Sequence, residues 1–289
     1  MTDEPENSEN SESPESPESP ENSENSGQGA LSKIDTSVPQ SARIWNYWLG
    51  GKDNYEVDRI AGDAFREIFP GIETGARAAR YFLARAVRHL AGEEGIRQFL
   101  DIGTGLPNVD NTHQIAQRVA PECRIVYVDN DPLVLAHARA LLVSTPEGVT
   151  NYVDADLRDP ATIVREAAKT LDFDQPVALM LMGILGHIED HDEARSIVRE
   201  LVDALPSGSY LVQYDSTDTS DAYVNAIQQY NEGGSIPYIL RSPEQLARYF
   251  DGLELLEPGV ASCSRWRPDT EALGLPAEVH QYGGVALKR

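Results

Sequence analysis

Between Ser37 and about Leu90 the apolar residues recur at helical spacing. Ser37, or Ser41 after Pro39, is placed to cap a short helix through Leu49, which Gly50-Gly51 then ends. Two further helical patterns follow, from about Asp53 to Phe69 and from about Thr74 to Leu90. From Arg97 the pattern changes. "RQFLDIG", "CRIVYVDND", "VTNYVDADL", "PVALMLMGIL" and "SYLVQYDS" read as strands. Between them "NTHQIAQRVA", "PLVLAHARALLV", the stretch from Pro160 to about Lys169 and "DHDEARSIVRELVDAL" read as helices. The near-continuous apolar run before Gly183 is that of a strand covered on both faces. Strands alternating with helices predict an α/β fold with a mostly parallel sheet and right-handed crossovers. Near the end, "GLELLEPG" and "YGGVALKR" are separated only by a loop of about 20 residues. They predict an antiparallel strand pair at the sheet edge.

Residues 1–30 break every such pattern. They hold nine acids, no Lys or Arg, no aromatic and almost no aliphatic residue. A segment of that kind cannot bury enough surface to offset its ordering entropy, so residues 1–33 are expected to form a disordered acidic tail. Residues 34–95 are expected to form a helical cap and 96–289 the α/β domain. The formal charge of the 289-residue chain is −23, and most of it lies outside the tail. Nucleic-acid binding is therefore disfavoured, because phosphate contacts need a basic face. A small or uncharged substrate fits better. Two cysteines, Cys123 and Cys263, provide neither a disulfide framework nor metal-ligand spacing. No basic, apolar leader opens the chain, and no apolar run approaches the ~18 residues of a membrane span. A cytoplasmic protein is expected, and the oligomeric state is left open.

Ligands of open α/β sheets bind outside the carboxyl ends of the strands. The residues predicted there are Asp101, Gly103, Thr104 and Gly105, then Asp129 and Asn130, then Asp156 and Leu157, then Met182, Gly183 and His187, and finally Tyr214 and Asp215. Asp129, 24 residues after Gly105, stands where an acid accepts hydrogen bonds from an adenosine ribose. That acid suits NAD and S-adenosylmethionine alike. The glycine loop separates them. A dinucleotide fingerprint needs a third glycine where Asn108 stands, and Pro107 and Asp110 make a poor pyrophosphate cradle at the following helix start. Local acidity suits a sulfonium and an ammonium instead. Asp156 is placed to accept from an adenine amino group, although Asp159-Pro160 begins a helix just beyond and a loop or cap role competes. Asp154 is a weaker candidate of the same kind.

The segments "SARIWNYWLGGKDNYEVDR", "FLDIGTGLPN", "IVYVDNDP", "ADLRDP" and "FDGLELLEPG" with "RWRPD" resemble a bacterial family of S-adenosylmethionine-dependent methyltransferases once known only as a domain of unknown function. The resemblance covers about residues 34–289, and "LGGKDNY" is its most specific part. It implies a Rossmann-like fold with a seven-stranded sheet and cofactor contacts at Asp101, Gly103, Asp129 and Asp156. It implies no particular substrate. The family usually carries Thr or a similar small residue where this chain has Asn108.

Methyl transfer needs alignment, a nucleophile freed of its proton and exclusion of water. His187 is a candidate general base, with a helix-start histidine held by Glu189 or Asp190 as the competing reading. Tyr214 and Asp215 are candidates one strand over. Around Gly50-Gly51, Arg43 and Lys52 are candidates for the cofactor's carboxylate and Asn54 for a cofactor-site role beside them, while Trp45 and Trp48 read as packing residues of the cap. The expectation is a methyltransferase acting on a small-molecule acceptor. Its rivals are a non-catalytic protein binding S-adenosylmethionine or S-adenosylhomocysteine, and an NAD-dependent oxidoreductase.

Overall fold

The computed structural model describes residues 35–108, 110–141, 143–269 and 274–289, so the expected acidic tail lies outside the described residues. Three helices come first: α1 (Ser41–Trp48), α2 (Glu56–Ile68) and α3 (Ile72–Gly92). Asp58, fully buried at the start of α2, ties the first two together. Its carboxylate accepts from the backbone N–H of Gln40 at 3.0 Å and of Tyr55 at 2.8 Å, and it pairs with Arg43 of α1 at 2.9 Å. Helix α2 begins at Glu56 rather than near Asp53 because Asn46 claims the intervening loop. The Asn46 side-chain oxygen accepts from Asp53 N at 3.1 Å and Asn54 Nδ2 at 3.0 Å.

The alternating region follows as β1 (Gln98–Ile102), α4 (Thr112–Val119), β2 (Arg124–Asp129), α5 (Pro132–Leu141), β3 (Val149–Asp154), α6 (Pro160–Ala167), β4 (Ala178–Met182), α7 (His191–Asp203) and β5 (Tyr210–Ser216). Helices α8 (Asp221–Glu232) and α9 (Pro243–Ala247) lead to β6 (Glu254–Leu255), β7 (Ala261–Ser262) and β8 (Gln281–Leu287). The strand order is β3-β2-β1-β4-β5-β8-β6. Pairing is parallel from β3 through β5, and β8 runs antiparallel to β5. The short β6 and β7 both pair with β8 along the edge that β5 leaves free. The sheet thus has eight strands where seven were expected, because its edge beside β8 is divided into β6 and β7 on either side of Pro258, which has no N–H to offer the ladder.

One face of the sheet packs against α3, where Phe82, Leu83, Val87 and Leu90 share a core with Phe99, Ile125, Met180 and Val212. On the other face Leu100, Val126, Leu179 and Leu181 meet Ile163, Ile197 and Leu201. A third cluster joins the helices to one another: Ile44, Trp48, Phe65 and Ile72 pack with Tyr223, Ala226 and Ile227 of α8. Helices α1, α2 and α8 thus stand together over the end of the sheet. Strand order reverses between β1 and β4, where a parallel sheet opens a crevice at its carboxyl ends.

Candidate functional site

That crevice is a cavity of about 300 Å³ roofed by α1 and α8. Asp101, Gly103, Thr104, Gly105, Asp129, Asn130, Asp156, Leu157, Met182, Gly183, His187 and Tyr214 all line it. The turn after β1 reaches it through glycine. Gly103 has φ +72°, and a Cβ there would stand 2.5 Å from the Ile184 side chain. Only glycine lets the chain turn this close to the loop after β4.

Asp129 is oriented by the backbone: one oxygen accepts from Gly105 N at 2.9 Å and the other from Asp131 N at 3.0 Å. Each oxygen keeps a lone pair, which is the acceptor pattern a ribose diol needs. Burial pushes its carboxyl up to about 6 against those two backbone bonds. Asp101 is also pushed up to about 6 by burial, while the Thr112 hydroxyl at 2.7 Å and the Arg80 guanidinium hold it down. Asp156 accepts from Asn130 Nδ2 at 3.1 Å and from Arg158 N at 2.8 Å. Thr104 Oγ1 is buried with no hydrogen-bond partner among the described residues. An orphaned hydroxyl and two carboxylates with spare lone pairs fit an adenosine ligand carrying a cation.

Asp110 is paired at the surface with Arg118, both side chains remaining more than half exposed. The N-terminus of α4 is occupied as well. His113 N donates to the Tyr127 hydroxyl at 2.8 Å, Asn111 N to Gln114 at 2.9 Å and Asn108 N to Asn111 at 2.9 Å. Donors engaged in this way are not free to cradle a pyrophosphate.

A family model described as S-adenosyl methyltransferase matches residues 27–289. The chain belongs to the S-adenosyl methyltransferase family. Its cofactor is S-adenosylmethionine, and the nicotinamide rival is set aside. Among solved structures it is similar to a DUF574 family protein from Streptomyces avermitilis, with 47% identity, 89% of this chain and 100% of that one covered, and a TM-score of 0.85. It is also similar to a protein from Thermobifida fusca, with 40% identity, 88% and 97% coverage and a TM-score of 0.81. No curated protein matches it.

Four expected site residues are not among those lining the cavity. Arg43 is buried in its ion pair with Asp58, and its guanidinium also donates to the carbonyls of Asp35 at 3.1 Å and of Val38. Asn54 is spent on Asn46 and the Gly51 carbonyl. Lys52 is exposed to solvent. Asp215 faces away from the cavity because Tyr214 faces it, and neighbouring side chains on a strand point to opposite faces. Asp215 instead holds the Tyr238 hydroxyl at 2.5 Å, Gln213 Nε2 at 2.8 Å and Gly186 N at 3.2 Å. Burial pushes its carboxyl up to about 6 all the same.

Sequence reasoning missed other lining residues. Arg80 projects into the cavity from α3 and also donates to the Asp110 carbonyl at 2.8 Å. Trp45 and Trp48 do pack, 5.8 Å apart edge to face, but both also line the cavity. Tyr223, Ile227 and Tyr230 of α8 line its far end, with Phe65, Ile236 and Tyr238. The signal for α8 was present: Tyr223, Ala226, Ile227 and Tyr230 recur at helical spacing on one face. Among the described residues no helix is long and apolar enough to cross a membrane.

Proposed function

We propose that the chain methylates an uncharged small molecule held against the ring-lined end of the cavity, with His187 as general base. The observation that carries this is the state of the His187 ring. Its Nδ1 lies 3.0 Å from the Pro237 carbonyl, and its Nε2 makes no hydrogen bond among the described residues. His187 lines the cavity, so a fixed lone pair is available to an acceptor's proton.

In this reading Asp129 accepts from both ribose hydroxyls, Asp156 accepts from the adenine amino group, and Asp101 faces the ammonium. Arg80 takes the cofactor's carboxylate, the part expected of Arg43 or Lys52, and the Thr104 hydroxyl supplies a further bond. When bound, S-adenosylmethionine supplies an electrophilic methyl group to the acceptor's lone pair, its sulfur keeping the electrons of the broken bond. Tyr214, with a hydroxyl that burial keeps protonated, donates at the junction of the two halves. An added Cβ at Gly183 would come within 3.0 Å of that hydroxyl, so the glycine keeps the junction open. The rings of α1, α2 and α8 exclude water from the reacting atoms.

Calorimetric titration with S-adenosylmethionine, followed by an acceptor screen reading S-adenosylhomocysteine release, tests the proposal. Turnover of an uncharged acceptor that His187→Gln slows by at least a hundredfold is the expected result. Tight cofactor binding with no turnover on any metabolite fraction would point to a sensor instead.

A further inference from the structure

The two ends of the cavity differ in charge. Among the described residues the ionised side chains that line it are Arg80, Asp101, Asp129, Asp131 and Asp156 by the strand ends, and Arg158, which donates to the His187 carbonyl at 3.0 Å where the two ends meet. The far end is built from Trp45, Trp48, Phe65, Tyr223, Tyr230 and Tyr238. Among the described residues no ionised side chain stands between those rings, and the Asp215 carboxylate is taken by Tyr238, Gln213 and the Gly186 N–H. Burying an unpaired charge is heavily penalised, so the occupant is neutral. Rings on several sides favour a flat aromatic one, through edge and offset contacts.

A donor is also left over at this end. Gln281 Nε2 donates to Tyr223 Oη at 3.0 Å and to Ser216 Oγ at 3.4 Å, and the two hydroxyls lie 2.9 Å apart. One hydroxyl can donate to the other. With the Gln281 amide turned so that Nε2 meets both hydroxyls, its Oε1 is buried without a partner and the second hydroxyl proton has no acceptor among the described residues; Ser216 and Tyr223 both line the cavity. A spare hydroxyl proton on residues that line a ligand space calls for an accepting atom on the ligand.

We infer that the acceptor is an uncharged phenol carrying a second, hydrogen-bond-accepting oxygen, such as a hydroxyaryl ketone. Its hydroxyl meets His187 Nε2 and its second oxygen meets the Ser216–Tyr223 pair. In the transfer the O–H bond gives way to an O–CH3 bond and the proton passes to Nε2. The inference rests on the methyltransferase reading above and narrows it to a substrate class.

The test measures affinity of the full chain, saturated with S-adenosylhomocysteine, for para-hydroxyacetophenone, para-ethylphenol, para-hydroxybenzoate and tyramine. Methyl transfer is then followed by mass spectrometry with S-adenosylmethionine. The ketone should bind about five- to tenfold more tightly than para-ethylphenol, the factor one neutral hydrogen bond supplies, and should be O-methylated. The charged pair should bind more weakly than either. The double variant Ser216→Ala, Tyr223→Phe should lose the preference for the ketone while keeping its affinity for S-adenosylhomocysteine. If that variant does not fold, the comparison of the two neutral phenols on the wild-type chain still decides. Equal affinity for those two means that the Gln281 amide is turned the other way and no donor faces the cavity; this overturns the inference. Preference for hydroxybenzoate or tyramine, or no binding of either neutral phenol, overturns it as well. Failure of S-adenosylmethionine itself to bind is a different outcome, and it removes the methyltransferase reading beneath.

Discussion

His187 Nδ1 stands 3.0 Å from the carbonyl oxygen of Pro237, fifty residues along the chain. A carbonyl only accepts, so Nδ1 carries the ring proton and Nε2 is the lone pair. Burial, with help from Arg158, lowers the pKa of the ring, against the Pro237 bond that raises it. The neutral form therefore persists below the ordinary histidine range. With His187 as the base, the rate of methyl transfer at saturating cofactor should hold to a lower pH than an unperturbed histidine would allow before it falls. His187→Gln should lower kcat by about a hundred- to ten-thousandfold with cofactor affinity unchanged. Single-turnover rates across pH check both, and a His187→Gln enzyme of wild-type rate removes the base.

Asp129 gives a second pH signature. Its free-state pKa is about 6, raised by burial. In the proposed binding mode two ribose hydroxyls donate to the ionised form and draw the pKa down, so binding should expel a proton below pH 6 and none above it. Affinity for S-adenosylmethionine should be flat from pH 8 to 7 and weaken by roughly tenfold per pH unit below about 6. Asp129→Asn should bind at least tenfold more weakly at neutral pH and show a shallower slope. Calorimetry at several pH values measures this, and an Asp129→Asn variant of unchanged affinity means the ribose is held elsewhere.

Three cations separate binding from folding. Arg80→Ala should weaken cofactor binding by about tenfold or more, the loss of one charge-assisted contact, and lower the melting temperature less than Arg43→Ala does, since its contact to the Asp110 carbonyl is at the surface. Lys52→Ala, at an exposed side chain that does not line the cavity, should leave both within error. Arg43→Ala should cost about 3–5 kcal/mol of stability, because it strands the buried Asp58 carboxylate. Thermal melts beside titrations sort the three; a stable Arg43→Ala protein with lost binding would restore Arg43 to the site.

Gly103 and Gly105 both have positive φ, +72° and +64°, but different surroundings. An alanine Cβ at 103 would meet Ile184 at 2.5 Å, and at 105 it would meet nothing within 4 Å. In the ligand-free protein Gly105→Ala should cost only the left-handed strain of about 1–2 kcal/mol, and Gly103→Ala distinctly more. Equal losses in chemical denaturation would mean that the Ile184 contact is not as tight as the fold places it.

The alternation of β1 to β5 with helices, the acids at their ends and the glycine turn were legible in the chain because they are local. Strand and helix periodicity repeat within a few residues, and in this fold the residue that ends a strand is carried to the crevice. The helical face of Tyr223, Ile227 and Tyr230 was legible too, but not its destination. What tertiary structure alone decided is which polar side chains are already spent. Arg43 looks like a cofactor ligand until Asp58 is found against it, and Lys52 until it is found in solvent. Asp215 looks like a base until Tyr238, 23 residues later, claims it. Sequence fixes which chemical groups a chain carries near a site. Packing decides which of them keep a free lone pair or proton, because each buried group takes the nearest partner the fold provides.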